Sequence, residues 1–381
     1  MHGFLDVNPA NLILKKSYTL YINMRETKNA VLVLEDGTIF RGKSFGFCKS
    51  CSGEVVFNTA MTGYPESLTD PSCQGQILVS TFPLLGNYGV PPKSAVTNGL
   101  NDYFESDQIH CQAVVCQEYS DEYSHWLADK SLAEWLNEEK VVGICGIDTR
   151  ALTKHLRENG TMSGKICIEE NPDDVPFVDL NNQNLADKVS CKEVVTYGEG
   201  DKTVVLLDCG VQNSIIRYLL TRGVKVVRVP WSYDFSNMEY DGLFISNGPG
   251  NPDNLEEAVA NIRKAMEQNK PVCGVALGNQ LLAKAAGGKV SKLKYGHRSH
   301  NQPVRMVGTN SCFITTQSNG YTVDFSSLDE NWEQSFVNLN DGTNEGIKHK
   351  TKPFYAIQFH PEVFSGSDKS DFILDNFIKN L

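Results

Sequence analysis

Four things are scarce in this chain of 381 residues, and each shortage narrows what it can be. No apolar run approaches the roughly 20 residues that a membrane span needs. Basic side chains are outnumbered, 35 Lys and Arg against 46 Asp and Glu, giving a formal net charge of -11. General nucleic-acid and anionic-membrane binding, which want clustered positive charge, are therefore disfavoured. Disulfide patterning is missing too: the 11 cysteines are odd in number and scattered on a chain large enough to build its own cores. That favours a reducing compartment, cytoplasmic or mitochondrial, and argues against secretion. Residues 1–29 read as an extension, disordered or targeting. Lys15, Lys16, Arg25 and Lys28 outnumber Asp6 and Glu26 there, but Leu12-Ile13-Leu14 is too short for a secretory signal.

The fourth shortage is chemical. An apolar run through Val272 and Cys273 enters Gly274-Val275-Ala276-Leu277-Gly278, which leads into the helix-forming stretch Leu281-Leu282-Ala283-Lys284-Ala285-Ala286 and stops at Gly287-Gly288. Gly-x-nucleophile-x-Gly belongs to a sharp strand-to-helix turn that lifts the central side chain above a sheet. Here the centre is Ala276, whose methyl group attacks nothing. Cys273 lies three residues earlier, on the feeding strand, and is expected to pack as a small apolar group.

Strand and helix signals divide the rest into two domains. Residues 30–190 form a strand-rich mixed α/β region, with β-type runs at Ala30–Leu34, Glu54–Phe57, Gln76–Val79 and Gln112–Cys116. Helices are predicted at Ser131–Leu136 and after the N-cap Asp148, the latter stopping at Asn159-Gly160. A polar stretch from about Asn181 to Lys202, with 191–202 as its core, reads as a linker. From Thr203 strands alternate with helices, Ser214–Arg222 and Leu255–Gln268 among them, and Asp371–Leu381 closes the chain. This alternation predicts an α/β domain over 203–381 with a mostly parallel sheet and its site at the carboxyl ends of the strands.

Two further segments suit that site. Phe354–Phe359 is a strand ending in His360-Pro361-Glu362, a base with a carboxylate two residues on. Ser246-Asn247-Gly248-Pro249-Gly250 follows another buried strand, with glycines that let backbone N–H groups face an anion. Two other patterns are decoys. Residues 37–44 satisfy the Walker A spacing, but Asp36-Gly37 is a hairpin signal and no helix follows. Cys48-Lys49-Ser50-Cys51 lacks a second ligand pair at zinc spacing.

On these motifs residues 203–381 resemble a class I glutamine amidotransferase domain. Residues 30–190 resemble the domain that precedes it in the carbamoyl-phosphate synthetase small subunit. Leu34-Glu35-Asp36-Gly37-Thr38, Gly53–Thr59, Thr62-Gly63-Tyr64-Pro65-Glu66, Leu84–Gly89 and Gly146–Thr153 carry the first match. Asn247–Gly250, Arg298-Ser299-His300-Asn301-Gln302-Pro303 and Gln358–Glu362 carry the second. The resemblance implies a Cys-His-Glu triad, with His360 as base, Glu362 as its orienter and Ala276 where the nucleophile belongs. It implies glutamine contacts at Gly248, Gly250, Leu277, Gln280, Ser318, Gly320 and Tyr321. Ser318 and Asn319 depart from the family's Asn-His, and Asn279 replaces its His.

The resemblance is nearest to the ammonia-dependent type lacking the catalytic Cys. It implies a large synthetase subunit or fused synthetase domains as partner and glutamine as a candidate ligand, with neither nucleic acid nor membrane. No cofactor is expected on this chain, and ATP and metal ions are expected on the synthetase portion. Two alternatives stay open: a glutamine-dependent small subunit engineered from Cys to Ala, and a non-catalytic glutamine-binding protein.

Overall fold

The structure is a computed structural model that describes residues 27–361 and 372–381. The predicted extension lies almost wholly outside the described residues. The first domain is a closed barrel built from β1 (Asn29–Leu34), β2 (Ile39–Ser44), β3 (Cys51–Asn58), β4 (Gln76–Ser80), β5 (Ala113–Val115), β6 (Val142–Cys145) and β7 (Met162–Ile168). Its strand order is β1-β7-β3-β4-β5-β6-β2. Leu32, Leu34, Val55, Ile77, Ala113, Val115 and Ile166 fill one cluster, while Val56, Leu78 and Val114 face Leu132, Trp135 and Leu136 in another. Strands covered on both faces read as continuous apolar runs, which is why they were visible.

The Walker-like stretch is the β1–β2 hairpin. Gly37 sits at φ +87° in its turn and Ala30 pairs with Gly42, so no helix opens there. Helix α1 (Tyr64–Thr69) leads into a single 3-10 turn, Pro71–Cys73. Ser131 and Glu134 form a capping box on α2 (Leu132–Glu138). Asp148 caps α3 (Thr149–Asn159), which ends at Gly160.

The predicted linker is instead structured. Asn184 caps α4 (Leu185–Val189), and β8 (Val195–Tyr197) pairs antiparallel along the edge of the second domain's sheet. Its polar composition concealed this, because an edge strand needs backbone pairing more than apolar side chains.

The second domain holds β9 (Lys202–Asp208), α5 (Asn213–Thr221), β10 (Val224–Pro230), β11 (Gly242–Ile245), α6 (Glu256–Glu267), β12 (Val272–Val275), α7 (Leu277–Ala285), β13 (Lys289–Met306), β14 (Cys312–Asp324), β15 (Trp332–Asn338), β16 (Asn344–His349), β17 (Phe354–Ile357) and α8 (Phe372–Asn380). The sheet order is β8-β10-β9-β11-β12-β17-β16-β15-β13-β14. The five strands from β10 to β17 run parallel, as the alternation predicted. Four antiparallel strands then extend the same sheet beyond β17. Helices α6 and α7 cover one face and α5 and α8 the other, each over its own apolar cluster.

Candidate functional site

The carboxyl ends of β12 and β17 bring the elbow and the histidine to one edge. Val275 is paired with Ile357, and the Ala276 N–H donates to the Ile357 carbonyl at 2.9 Å. Ala276 has φ 53° and ψ -107°, a conformation L-residues avoid and which costs on the order of 1–3 kcal/mol. Its flanking glycines are there for backbone approach. A Cβ on Gly274 would lie 2.6 Å from the Gly278 carbonyl oxygen, and one on Gly278 would lie 2.1 Å from that of Ile245. The strained turn is intact, and its central side chain is a buried methyl.

His360 is buried two residues beyond the Gln358 N–H that donates to Glu345, and its own N–H donates to the Thr316 carbonyl at 2.9 Å. Glu362 lies outside the described residues. The imidazole lines a cavity between the domains together with Glu66, Asp70, Glu105, His300, Arg298 and Ser318. Burial pushes Asp70 above the usual carboxylate range, partly offset by His360. Burial pushes His300 down, and His360 adds to that shift.

A second cavity, sharing Arg298 and Ser318 with the first, contains Ala276. All seven predicted glutamine-contacting residues line it: Gly248, Gly250, Leu277, Gln280, Ser318, Gly320 and Tyr321. The Gly248 backbone passes so near Cys209 that an added Cβ would sit 2.0 Å from its carbonyl, and Gly250 adopts φ +91°. Gln280 Nε2 donates to the Tyr321 carbonyl and to Gln358 Oε1, both at 3.2 Å. Burial raises the Tyr321 hydroxyl to about 12, so it is neutral at physiological pH. Asn279 is absent from the cavity wall. It is fully buried behind the elbow, with Nδ2 on Gln358 Oε1 at 3.3 Å.

The sequence reading missed what the first domain contributes. Glu54, Ser72, Gln74 and Gln76 line the same cavity, with Leu180, Asn181 and Leu185 from the predicted linker. Ser72 Oγ accepts from Asn247 Nδ2 at 3.1 Å, tying the Asp70-Pro71-Ser72 turn to the glycine loop. Glu54 accepts from Lys292 Nζ at 2.8 Å and Thr161 Oγ1 at 3.0 Å. Burial alone would raise Glu54, but Arg298 and Lys292 outweigh it and hold the carboxyl below its ordinary value. Among the described residues no group of three or more His, Cys, Asp or Glu is placed to hold a metal ion, and no helix is long and apolar enough to cross a membrane.

Known proteins place this geometry. Residues 32–166 match the carbamoyl-phosphate synthase small chain, CPSase domain, and residues 205–380 match glutamine amidotransferase class-I. The chain is 48% identical over 356 residues to the human mitochondrial carbamoyl-phosphate synthase [ammonia], covering 92% of this chain but 24% of that protein. It is 46% identical over 376 residues to the Dictyostelium discoideum multifunctional protein pyr1-3, covering 93% of this chain and 17% of that one. Against the arginine-specific small chain of carbamoyl phosphate synthase from Chaetomium globosum it is 45% identical over 361 residues, covering 93% of this chain and 78% of the relative. The chain thus spans about a quarter or less of the first two relatives' length and most of the small chain's. With both family matches in this order and 78% of a separate small chain covered at 45% identity, this chain belongs to the carbamoyl-phosphate synthase small-chain family.

Proposed function

We propose that this chain is the amidotransferase-like part of a carbamoyl-phosphate synthetase in which the glutamine site is catalytically silent. Carbamoyl phosphate would be made from bicarbonate, ammonia and ATP on a synthetase portion, as a large subunit or fused domains, which would also hold ATP and its metal ions. Free ammonia would be the nitrogen source. The chain's contribution would then be structural, docking on that portion in a cytoplasmic or mitochondrial compartment.

The observation that carries the reading is Ala276 at the tip of the strained turn. Glutamine hydrolysis at such a site needs a thioester, and a methyl group has no lone pair to form one. Loss of a triad nucleophile costs about a millionfold in rate, roughly 8 kcal/mol. Hydrogen bonds from the Gly248 loop stabilise an oxyanion only after a nucleophile has attacked. His360, buried two residues past the Gln358 that follows β17, would find at Ala276 no nucleophile to deprotonate.

The test is ammonia release from glutamine by the whole chain, compared with His360→Ala. Equal background rates are expected. A robust rate abolished by His360→Ala would overturn the reading. The changes at Asn279 and Ser318 favour a site altered at several points over a single substitution at Ala276. On that account Ala276→Cys regains little glutaminase, whereas full recovery would favour the engineered alternative.

A further inference from the structure

Resting on the reading of a silent site, we infer that the cavity over Ala276 is a binding site for a small dicarboxylate, preferring an acidic amino acid to glutamine. The inference begins with Arg298. Its residue is 6% exposed, yet among the described residues only one side-chain hydrogen bond satisfies it, Nη1 to the Tyr295 carbonyl at 3.0 Å. Nε is buried and finds no partner among them. A guanidinium carries five N–H donors and stays charged in proteins. Among the described residues no carboxylate lies within ion-pair distance of Arg298, although sixteen ion pairs occur elsewhere, from Lys28–Glu169 to Lys348–Glu333. Glu54 feels its charge only from beyond ion-pair distance, so most of the cost of taking the guanidinium out of water stays uncompensated.

The chain goes out of its way to put it there. β13 breaks register with β14 between Lys292 and His297, and Gly296 adopts φ +73° at the end of that bulge. The guanidinium then lies along Gly296 and Gly320: an added Cβ on Gly320 would be 3.3 Å from Nη2. A bulge beside a site re-aims a side chain. Glu54, the acid in this cavity, is already engaged by Lys292 and Thr161. With Lys292 and Arg298 against Glu54, the cavity wall keeps one net positive charge.

The same cavity's lining adds a second anion-favouring element. The nine-residue α7 starts at Leu277, directly after Ala276, and both residues line the cavity, so the positive end of the helix dipole lies at its wall. In a working amidotransferase a neutral amide would sit here for attack. With a methyl group beneath it, a carboxylate fits the same donors without reacting. The neighbouring cavity at His360 is lined by Glu66, Asp70 and Glu105, which disfavours an anion on that side of Arg298. One carboxylate at the α7 N-terminus and one at Arg298 define the ligand class.

The probes are L-glutamate and L-glutamine, which match in shape and differ in charge, titrated calorimetrically into the full chain with ammonia release assayed in the same samples. Glutamate is expected to bind about tenfold tighter, the scale of one charge-assisted contact. Arg298→Gln should bring the two ligands within about twofold of each other, the size of an ordinary neutral contact. A glutamate preference below about threefold, a preference for glutamine, or no binding of either overturns the inference, since threefold is less than 1 kcal/mol. So does a preference that survives in a folded Arg298→Gln protein. The wild-type comparison stands even if that variant does not fold. Ammonia release would contradict the silent site instead, which keeps the two failures distinct.

Discussion

The parallel and antiparallel halves of the second domain's sheet meet at β17, and they treat the site differently. On the parallel side the chain keeps expensive geometry without its chemistry: Ala276 at positive φ, and two glycines pressed against carbonyls. On the antiparallel side it places charge, with Arg298 over the cavity and His297 wedged between carboxylates. Scaffold and reactivity are separable. A turn dictated by close backbone packing persists after the side chain it presented has gone, because dismantling it would disturb β11, β12 and α7 together.

The largest expected effect breaks the parallel half. Gly278→Ala drives a methyl group to 2.1 Å from the Ile245 carbonyl, where only backbone movement relieves the clash. Urea unfolding should show a loss of at least about 3 kcal/mol, or insoluble protein. A loss below about 1 kcal/mol would show that the elbow is pliable rather than fixed by packing.

That half was also the legible one. Val204–Leu207, Gly242–Ile245 and Val272–Val275 are buried on both faces and announced themselves as apolar runs, and Gly-x-Ala-x-Gly gave the elbow. β13 to β16 went unread. Lys289–Met306 mixes exposed lysines with buried Gly296, His297 and Arg298, and its bulges break the alternation that marks a strand. Arg298 stands within the family motif Arg298-Ser299-His300-Asn301-Gln302-Pro303, but nothing local in the sequence says that a guanidinium there is buried. Ser72 and Glu54 were invisible as site residues because they reach the cavity from another domain, well over a hundred positions from the elbow. The Asp70-Pro71-Ser72 turn, with a carboxylate capping Ser72 N–H, was the signal available.

The next effect sharpens the antiparallel half. Charged, His297 donates from Nδ1 to Gln317 Oε1 at 3.0 Å and from Nε2 to Asp341 Oδ2 at 2.8 Å, with Glu345 Oε1 at 3.5 Å. Burial would lower its pKa, but Asp341 and Glu345 prevail and raise it from 6.5 to about 9. A raised folded value stabilises the protein below the unfolded pKa, and that contribution fades as pH climbs through about 9. His297→Gln should therefore cost up to about 3 kcal/mol at pH 6 and converge on wild type by about pH 10. A difference that stays constant with pH would show that packing, not charge, holds this half.

The smallest effect returns to the elbow. Ala276→Gly relieves a backbone strained at φ 53° and should raise unfolding free energy by up to about 1 kcal/mol despite glycine's entropy. Destabilisation would mean that the methyl group's packing among Val275, Phe359 and their neighbours outweighs the strain.

Covalent labelling addresses the missing sulfur most directly. A chloromethyl-ketone analogue of glutamine, followed by peptide mass spectrometry, reports any thiol poised at the pocket. Wild-type protein should remain unmodified at Cys73, Cys209 and Cys273, all of them buried, with Cys73 and Cys209 held far from thiolate formation by burial. Ala276→Cys should be labelled at residue 276, because the turn that presents it is still built. Glutamine-protectable labelling of a wild-type cysteine would contradict the account, since it would supply the nucleophile that Ala276 lacks.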